Sequence, residues 1–349
     1  MRIFFASLLR RSGSSGRQRL GALRSLGHEV REFQLNDFDE RGFWETRLRE
    51  RLVRRAPFRR RDETRLGRAF VAAIEDQQPD VVWVEKALLL TAPWIRAAKK
   101  SSPNAVFVCF QDDDPFGLRA REMPTWSNFK AAISSFDVHF VKREPNVAEF
   151  KSLGARHFLL FTHGVYDHMF HPSADPSARR NHDLVFVGTP LDHRVATIDH
   201  LIKTHGLPLE VFGNGWYKAR SWLSNRERFQ PEVVEESYGE LLRDTKIALG
   251  FVSSSNRDEY SMRTFEIPAC GALLLAERTP AHQSLFEEGR EAEFFQDANE
   301  CAEKCAYYLS HEAERARIAA AGCVKVLRAE HSLEFRMQDA LHRLLRSIA

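Results

Sequence analysis

The chain has 349 residues, 43% of them hydrophobic and 28% charged, the balance of a soluble globular protein long enough for two cores of ordinary domain size. Its 51 Lys and Arg nearly cancel 48 Asp and Glu, so the formal net charge is only +3 and bulk charge argues for neither a nucleic-acid partner nor an acidic substrate. The five cysteines, Cys109, Cys270, Cys301, Cys305 and Cys323, are odd in number and lack paired metal-ligand spacing, which favours reduced thiols.

The apolar run inside Met1–Arg10 is too short for a signal peptide or a membrane span. No later run approaches about 18 apolar residues, and a cytoplasmic protein is expected. Residues Arg2 to Leu9 alternate into a short buried strand, followed by the Gly-Ser loop Arg10–Gly16 and a helix from about Arg17 to Leu26 that stops at Gly27. A second strand at His28–Leu35 completes a βαβ opening. The arginine-dense stretch Arg47–Arg68 is either a solvated face or a contact for the inner face of an anionic membrane or a phospholipid acceptor, at about 1 kcal/mol per basic residue near such a surface. Nucleic acid is not expected there, because only Phe58 offers a central stacking ring. Strands follow at Asp80–Glu85, Ala105–Phe110, Phe136–Val141 and His157–Phe161, a parallel, doubly wound sheet on pattern alone.

A second series runs through Asn181–Gly188, Leu207–Gly213, Lys246–Val252 and Gly271–Leu275, each apolar run followed by a small or polar loop and a helical stretch. Between the two series, Phe161–Pro176 is rich in turn formers and is expected to be a linker. Ala313 to Ile348 is helical by period, with breaks expected near Gly322 and His331. The resulting division is an N-terminal domain over 1–165, a linker over 166–180, a C-terminal domain over 181–330 and a helix over 331–349 packing back toward the first domain. The expected fold class is α/β, with two Rossmann-like doubly wound domains facing across a cleft.

Chemistry is sought in loops after strands, where ligands bind in open α/β sheets. The run from Asp258 to Leu275 places an acidic turn, then Tyr260, Ser261, Met262, Arg263 and Thr264 at a helix start, then Glu266 and a buried strand after Gly271. Backbone amides at such a start, with the Arg263 fork, suit a diphosphate. Glu266 suits a vicinal diol. Gly213-Asn214-Gly215-Trp216 follows another strand, where two glycines let amides approach a ligand and the indole offers a face to a base; as plain structure it is an Asn-Gly turn with a core-edge aromatic. In the first domain, Asp112-Asp113-Asp114 follows a strand directly, and mutual repulsion suits one of them to be a base. Binding a cationic acceptor, a divalent metal, or a proline-terminated capping turn are the other readings of that cluster. His163 in the linker suits a proton shuttle, although His168 and His171 stand beside it.

Several of these segments resemble GT-B-fold glycosyltransferases, in particular the bacterial spore-maturation-protein-like group. The residues carrying the resemblance are Phe186-Val-Gly188, Phe212-Gly-Asn-Gly-Trp216, Leu241–Leu249, Arg263-Thr-Phe-Glu-Ile-Pro-Ala-Cys-Gly271, Leu285–Gly289 and the helical stretch Arg315–Gly322. Asp258 and Glu266 stand eight positions apart like the acid pair of those enzymes, and Gly164, Val165, Phe170 and Pro172 match their interdomain linker. The first domain is similar more loosely, through the acceptor-side loop Gly13, Ser14, Ser15 and Gly16 and through Asp112–Asp114. After Gly188, Thr189 stands where the group often has an arginine and Arg194 where it has a lysine, so one of two diphosphate cations is kept.

The resemblance implies metal-independent transfer of a sugar from a nucleoside diphosphate, with no cofactor beyond that substrate, to a saccharide, lipid-linked or protein acceptor. Glu266 is implied on the ribose and the Ser261–Thr264 amides on the diphosphate. Asp113, Asp114 and His163 are the candidates for catalysis; no metal ligand is expected. The alternatives are a nucleotide-sugar epimerase or hydrolase on the same fold, or a non-catalytic scaffold using the arginine-rich segment.

Overall fold

The computed structural model describes residues 1–10, 14–38, 63–86, 88, 90–118, 123–175 and 179–348. It divides into two compact units, one of residues 1–162 together with the chain from Met337 onward, the other His163–Arg336.

The first unit is a six-stranded, wholly parallel sheet. Its strands are β1 (Arg2–Ser7), β2 (Glu29–Gln34), β3 (Val81–Glu85), β4 (Val106–Gln111), β5 (Val138–Val141) and β6 (His157–Leu160), in the order β2-β1-β3-β4-β5-β6. All five residues of β3, Val-Val-Trp-Val-Glu, are buried, as a central strand covered on both faces requires. On one face Phe4, Val82, Val84 and Phe107 pack on Phe70 and Ile74 of α2 (Glu63–Gln77), and Gly67 of that helix lets the Trp94 ring of α3 (Ala92–Ser101) sit where a side chain would begin. On the other, Trp83 stacks between Phe110 and Phe140 at 5.9 and 5.0 Å. The helix α1 (Ser15–Ser25) is capped by Ser14, whose hydroxyl accepts from the Arg17 amide. Helices α4 (Met123–Ala132) and α5 (Glu144–Ser152) complete the crossovers.

The second unit repeats the plan with β7 (His182–Val187), β8 (Leu209–Phe212), β9 (Phe229–Gln230), β10 (Thr245–Gly250), β11 (Leu273–Glu277) and β12 (Glu293–Phe295), all parallel in the order β12-β11-β10-β7-β8-β9. Its helices are α6 (Arg194–Lys203), α7 (Glu235–Arg243), α8 (Arg263–Ala269), α9 (Pro280–Leu285), α10 (Ala298–Ser310) and α11 (Glu312–Val326), and α12 (Leu333–Ile348) closes the chain. The break expected near Gly322 does not occur. Helix α11 runs through that residue because the missing side chain leaves room for the Glu291 carbonyl, which a Cβ would meet at 2.2 Å. The break near His331 is present as a single tight turn, Ala329–His331.

Strand order fixes where each unit can bind. The chain leaves β1 and β7 in one direction and returns on their other side, so the switch points lie between β1 and β3 and between β7 and β10. All five cysteines are buried and unbridged. No helix among the described residues is long and apolar enough to cross a membrane.

Candidate functional site

In the second unit, the loops leaving β7 and β8 are bound to each other. The Trp216 indole N–H donates to the Gly188 carbonyl at 2.8 Å, and a Cβ on Gly213 would lie 2.1 Å from that same oxygen. Gly213 takes φ +152° with no side chain to collide. The expectation that Trp216 stacks a base is corrected: its ring is 2% exposed and packs edge-on against Phe186, because the indole spends its one donor inward. Asn214 is exposed and donates to Glu232 at 2.9 Å, while Gly215, at φ +92°, turns the chain into the Trp216 segment beside Pro190.

Two arginines converge on the Gly188 loop. Arg263, at the start of α8, donates its Nε–H to the Val187 carbonyl at 2.6 Å, and its Nη2 lies 3.4 Å from where a Cβ on Gly188 would stand. Arg194, at the start of α6, is 6% exposed and donates to the Thr189 and Val252 carbonyls, both at 3.3 Å. Burial, then the Arg263 charge, lower the Arg194 pKa to about 10, against the pull of Asp192, Glu277 and Asp258. Asp192 accepts from the Ser253 hydroxyl at 2.9 Å. Burial opposes its charge, yet hydrogen bonds from Ser255 and Ser253 and the Arg194 charge bring its pKa below the usual value. Asp192, Ser253 and Glu277 escaped sequence reasoning; the signal available was a polar turn after each of the strands β7, β10 and β11.

The segment before α8 is a tight turn. The Ser261 amide donates to the Thr264 hydroxyl at 3.1 Å and the Thr264 amide to the Ser261 carbonyl at 3.2 Å. Two of the four amides expected to meet a diphosphate are therefore engaged in the turn itself, and Met262 and Arg263 supply the others. Glu266 is 6% exposed beside Tyr238, whose phenol is pushed well above its ordinary pKa by burial and then by the Glu266 carboxylate. Asp258 donates its amide to the Ser253 carbonyl at 2.9 Å, which ties the first acid to the β10 loop. The His163 ring, 3% exposed, meets Tyr260 edge-on at 5.9 Å, so the linker histidine and the Asp258–Glu266 segment do come together.

In the first unit the Gly-Ser loop and the aspartate cluster also meet, at the carboxyl ends of β1, β3 and β4. Gly13 lies outside the described residues, as do residues 47–62 of the arginine-rich stretch. Ser14 caps α1. Ser15 donates its hydroxyl to Asp112 at 3.3 Å. Beneath them a buried pair that the sequence reading missed, Arg19 and Glu85, closes at 2.6 Å with both side chains 2% exposed. Glu85 also accepts from Ser7 at 2.9 Å and from the Trp83 indole at 3.1 Å. Gly16 is required by that pair: a Cβ there would lie 2.8 Å from a Glu85 oxygen and 2.5 Å from the Ser7 hydroxyl. Asp113 pairs with Lys86 at 2.9 Å and is a quarter exposed. Asp114 is corrected from a candidate base to a turn-forming residue, because it is 1% exposed and one carboxylate oxygen accepts from both the Phe116 amide and Asn146, each at 2.9 Å.

Residues 194–342 match the family model described as glycosyl transferase-like. A sequence search found no match among curated proteins. The fold is that of GT-B glycosyltransferases. It is similar to sucrose-phosphate synthase from Thermosynechococcus elongatus (TM-score 0.68, 15% identity, 100% of both chains) and to Anabaena HepE in complex with UDP-glucose (TM-score 0.66, 12% identity, 99% of this chain and 100% of that one). A glycosyltransferase from Rickettsia africae aligns with a TM-score of 0.63 at 13% identity, over 98% of this chain and 97% of that one.

Proposed function

We propose that this chain is a glycosyltransferase that takes a sugar from a nucleoside-diphosphate donor without a metal ion. The observation that carries the reading is the placement of Arg263 and Arg194 against one loop, close enough for the Arg263 charge to lower the Arg194 pKa. Two guanidinium groups beside one loop at a switch point suit an anion, which a guanidinium meets with a charge-assisted fork. Arg263 is the part-buried member and keeps its Nη2 near Gly188. It is assigned to the diphosphate; Arg194, bound to two carbonyls, holds the loop and contributes charge from behind. Glu266 is assigned to the ribose diol and the Gly213–Gly215 turn to the nucleoside. HepE, on the same fold, is described in complex with UDP-glucose, which supports a nucleotide-sugar donor here.

In the reaction the bond between the sugar's anomeric carbon and the diphosphate oxygen breaks, the electron pair leaving with the diphosphate. A bond to an acceptor hydroxyl forms and its proton passes to a base. Arg263 lowers the barrier by meeting charge that grows on the leaving group, the kind of preorganised electrostatic help that dominates such transfers. Asp113 and His163 are the candidates for the base, and the first unit is assigned the acceptor. Thermal shift against a panel of nucleotide sugars tests the reading, since a donor held at 100 times its Kd stabilises the protein by about 2.7 kcal/mol. A shift seen in the wild type and lost in Arg263→Ala supports it. A flat response to every donor sinks it.

A further inference from the structure

The short helix α9 sits outside the donor segment, yet its cap residue Thr279 and its third residue His282 reach into it. His282 is 1% exposed, and its Nδ1 lies 2.7 Å from the Glu277 carbonyl oxygen, an atom that can only accept. Nδ1 therefore carries the proton, and Nε2 of the neutral ring is the acceptor. Its partner at 2.9 Å is the Thr264 hydroxyl, which donates to the ring and in turn accepts the Ser261 amide at 3.1 Å. The ring is held flat against Phe294, with centroids 5.8 Å apart and planes 10° from parallel. A second chain runs in parallel. The His282 amide donates to the Thr279 hydroxyl at 3.1 Å, and that hydroxyl donates to the Glu259 carbonyl at 2.6 Å.

From these two chains we infer that His282 and Thr279 are positioning residues for the donor segment, tethering Glu259–Thr264 at both of its ends so that Arg263 and Glu266 face one ligand. The inference rests on the donor reading given above but adds residues that touch no substrate. Either tether fixes a loop that has one face open, and each passes through a hydroxyl that both donates and accepts, so loss of the hydroxyl breaks two bonds together. An ordering role predicts an effect on donor binding without an effect on the sheet beneath.

The experiment compares Thr279→Val, Thr279→Ser and His282→Leu with the wild-type chain, using amide hydrogen exchange of the 257–265 segment and titration with UDP, ADP and GDP. Thr279→Val and His282→Leu are expected to speed exchange in that segment about tenfold while β7, β10 and β11 stay protected. The diphosphate that binds the wild type is expected to bind them about five- to tenfold more weakly. Thr279→Ser keeps the hydroxyl and restores both. Unchanged exchange in Thr279→Val overturns the tether whatever becomes of His282→Leu, which leaves the test standing should the buried histidine prove essential for folding. Faster exchange with undiminished nucleotide affinity overturns the positioning role while leaving the donor site intact. Faster exchange in a protein that binds none of the three nucleotides even as wild type overturns the donor reading and, with it, any positioning of a donor.

Discussion

The indole N–H of Trp216 donates to the carbonyl oxygen of Gly188 across 2.8 Å, so the loops after the first two strands of the second unit are one structure. Gly213 is the contact that permits it, with no room for a Cβ against the same oxygen. Gly213→Ala must push the loops apart at a backbone atom that cannot rotate away. The expected result is a loss of about 1–3 kcal/mol in stability from overpacking, together with weaker nucleotide binding. Trp216→Phe loses the hydrogen bond and leaves a cavity where the second ring of a buried indole stood, so it should cost more than the ~1 kcal/mol of the bond alone. Urea unfolding and nucleotide titration of both variants check this; equal nucleotide affinity in wild type and Gly213→Ala would show that the paired loops do not shape the site.

Arg263→Lys keeps the charge and removes the planar fork. If the guanidinium both holds the Val187 carbonyl and meets a diphosphate, the lysine cannot do the two together. Turnover is expected to fall clearly in that variant while its melting temperature moves little. Full activity in Arg263→Lys would shift the phosphate contact to Arg194.

Glu266→Ala tests the other half of the donor. A charge-assisted hydrogen bond to a ribose diol is worth about 1.5–3 kcal/mol, so nucleoside-diphosphate affinity should fall by roughly ten- to a hundredfold. Glu266 also stands beside Tyr238, whose neutral phenol its carboxylate favours, so the variant's melting temperature is measured alongside its affinity. A folded Glu266→Ala with unchanged affinity would take the ribose away from this residue.

The long buried strands were legible because runs such as Val81–Glu85 and Leu273–Glu277 are continuous apolar stretches bounded by turns. Strands β9 and β12 were not, being two and three residues long, too short for any period to show. The Asp258–Glu266 spacing was legible because it is local. What stayed hidden depends on partners far along the chain: Asp114 reads as one of three adjacent acids until Asn146 is seen on its oxygen, and Arg19 meets Glu85 across 66 residues. For Trp216 the sequence leaves both a base-stacking face and a core-edge ring open, because an aromatic after a glycine turn carries no mark of which side of the turn it fills.

The Arg19–Glu85 pair gives a stability prediction for the first unit. Glu85→Gln leaves a guanidinium buried without its counter-charge, for which a loss of about 3–5 kcal/mol is expected. Replacing both partners, as Arg19→Met with Glu85→Leu, removes the stranded charge and should recover much of that loss. Chemical unfolding of Arg19→Met, Glu85→Leu and the two combined measures the coupling. Additive losses would mean that the two charges do not depend on each other.

The last prediction concerns acid. His139 is fully buried among Phe136, Phe150 and Phe158, and burial drives its pKa down to about 4, against the Ile133 carbonyl and then the Asp137 charge, with Lys99 adding to the fall. The folded protein therefore holds this ring neutral while the unfolded chain protonates it below about pH 6.5. Between those two values the unfolded state binds more protons, so stability rises with pH. The contribution is fully present above about pH 6.5 and is lost as pH falls toward 4, by an order of about 3 kcal/mol at the acid end. His139→Gln has no proton to take up. Urea midpoints measured from pH 7 to pH 4.5 should fall less steeply in His139→Gln than in the wild type, whatever the variant's stability at pH 7. Parallel curves would place the acid sensitivity of this protein elsewhere.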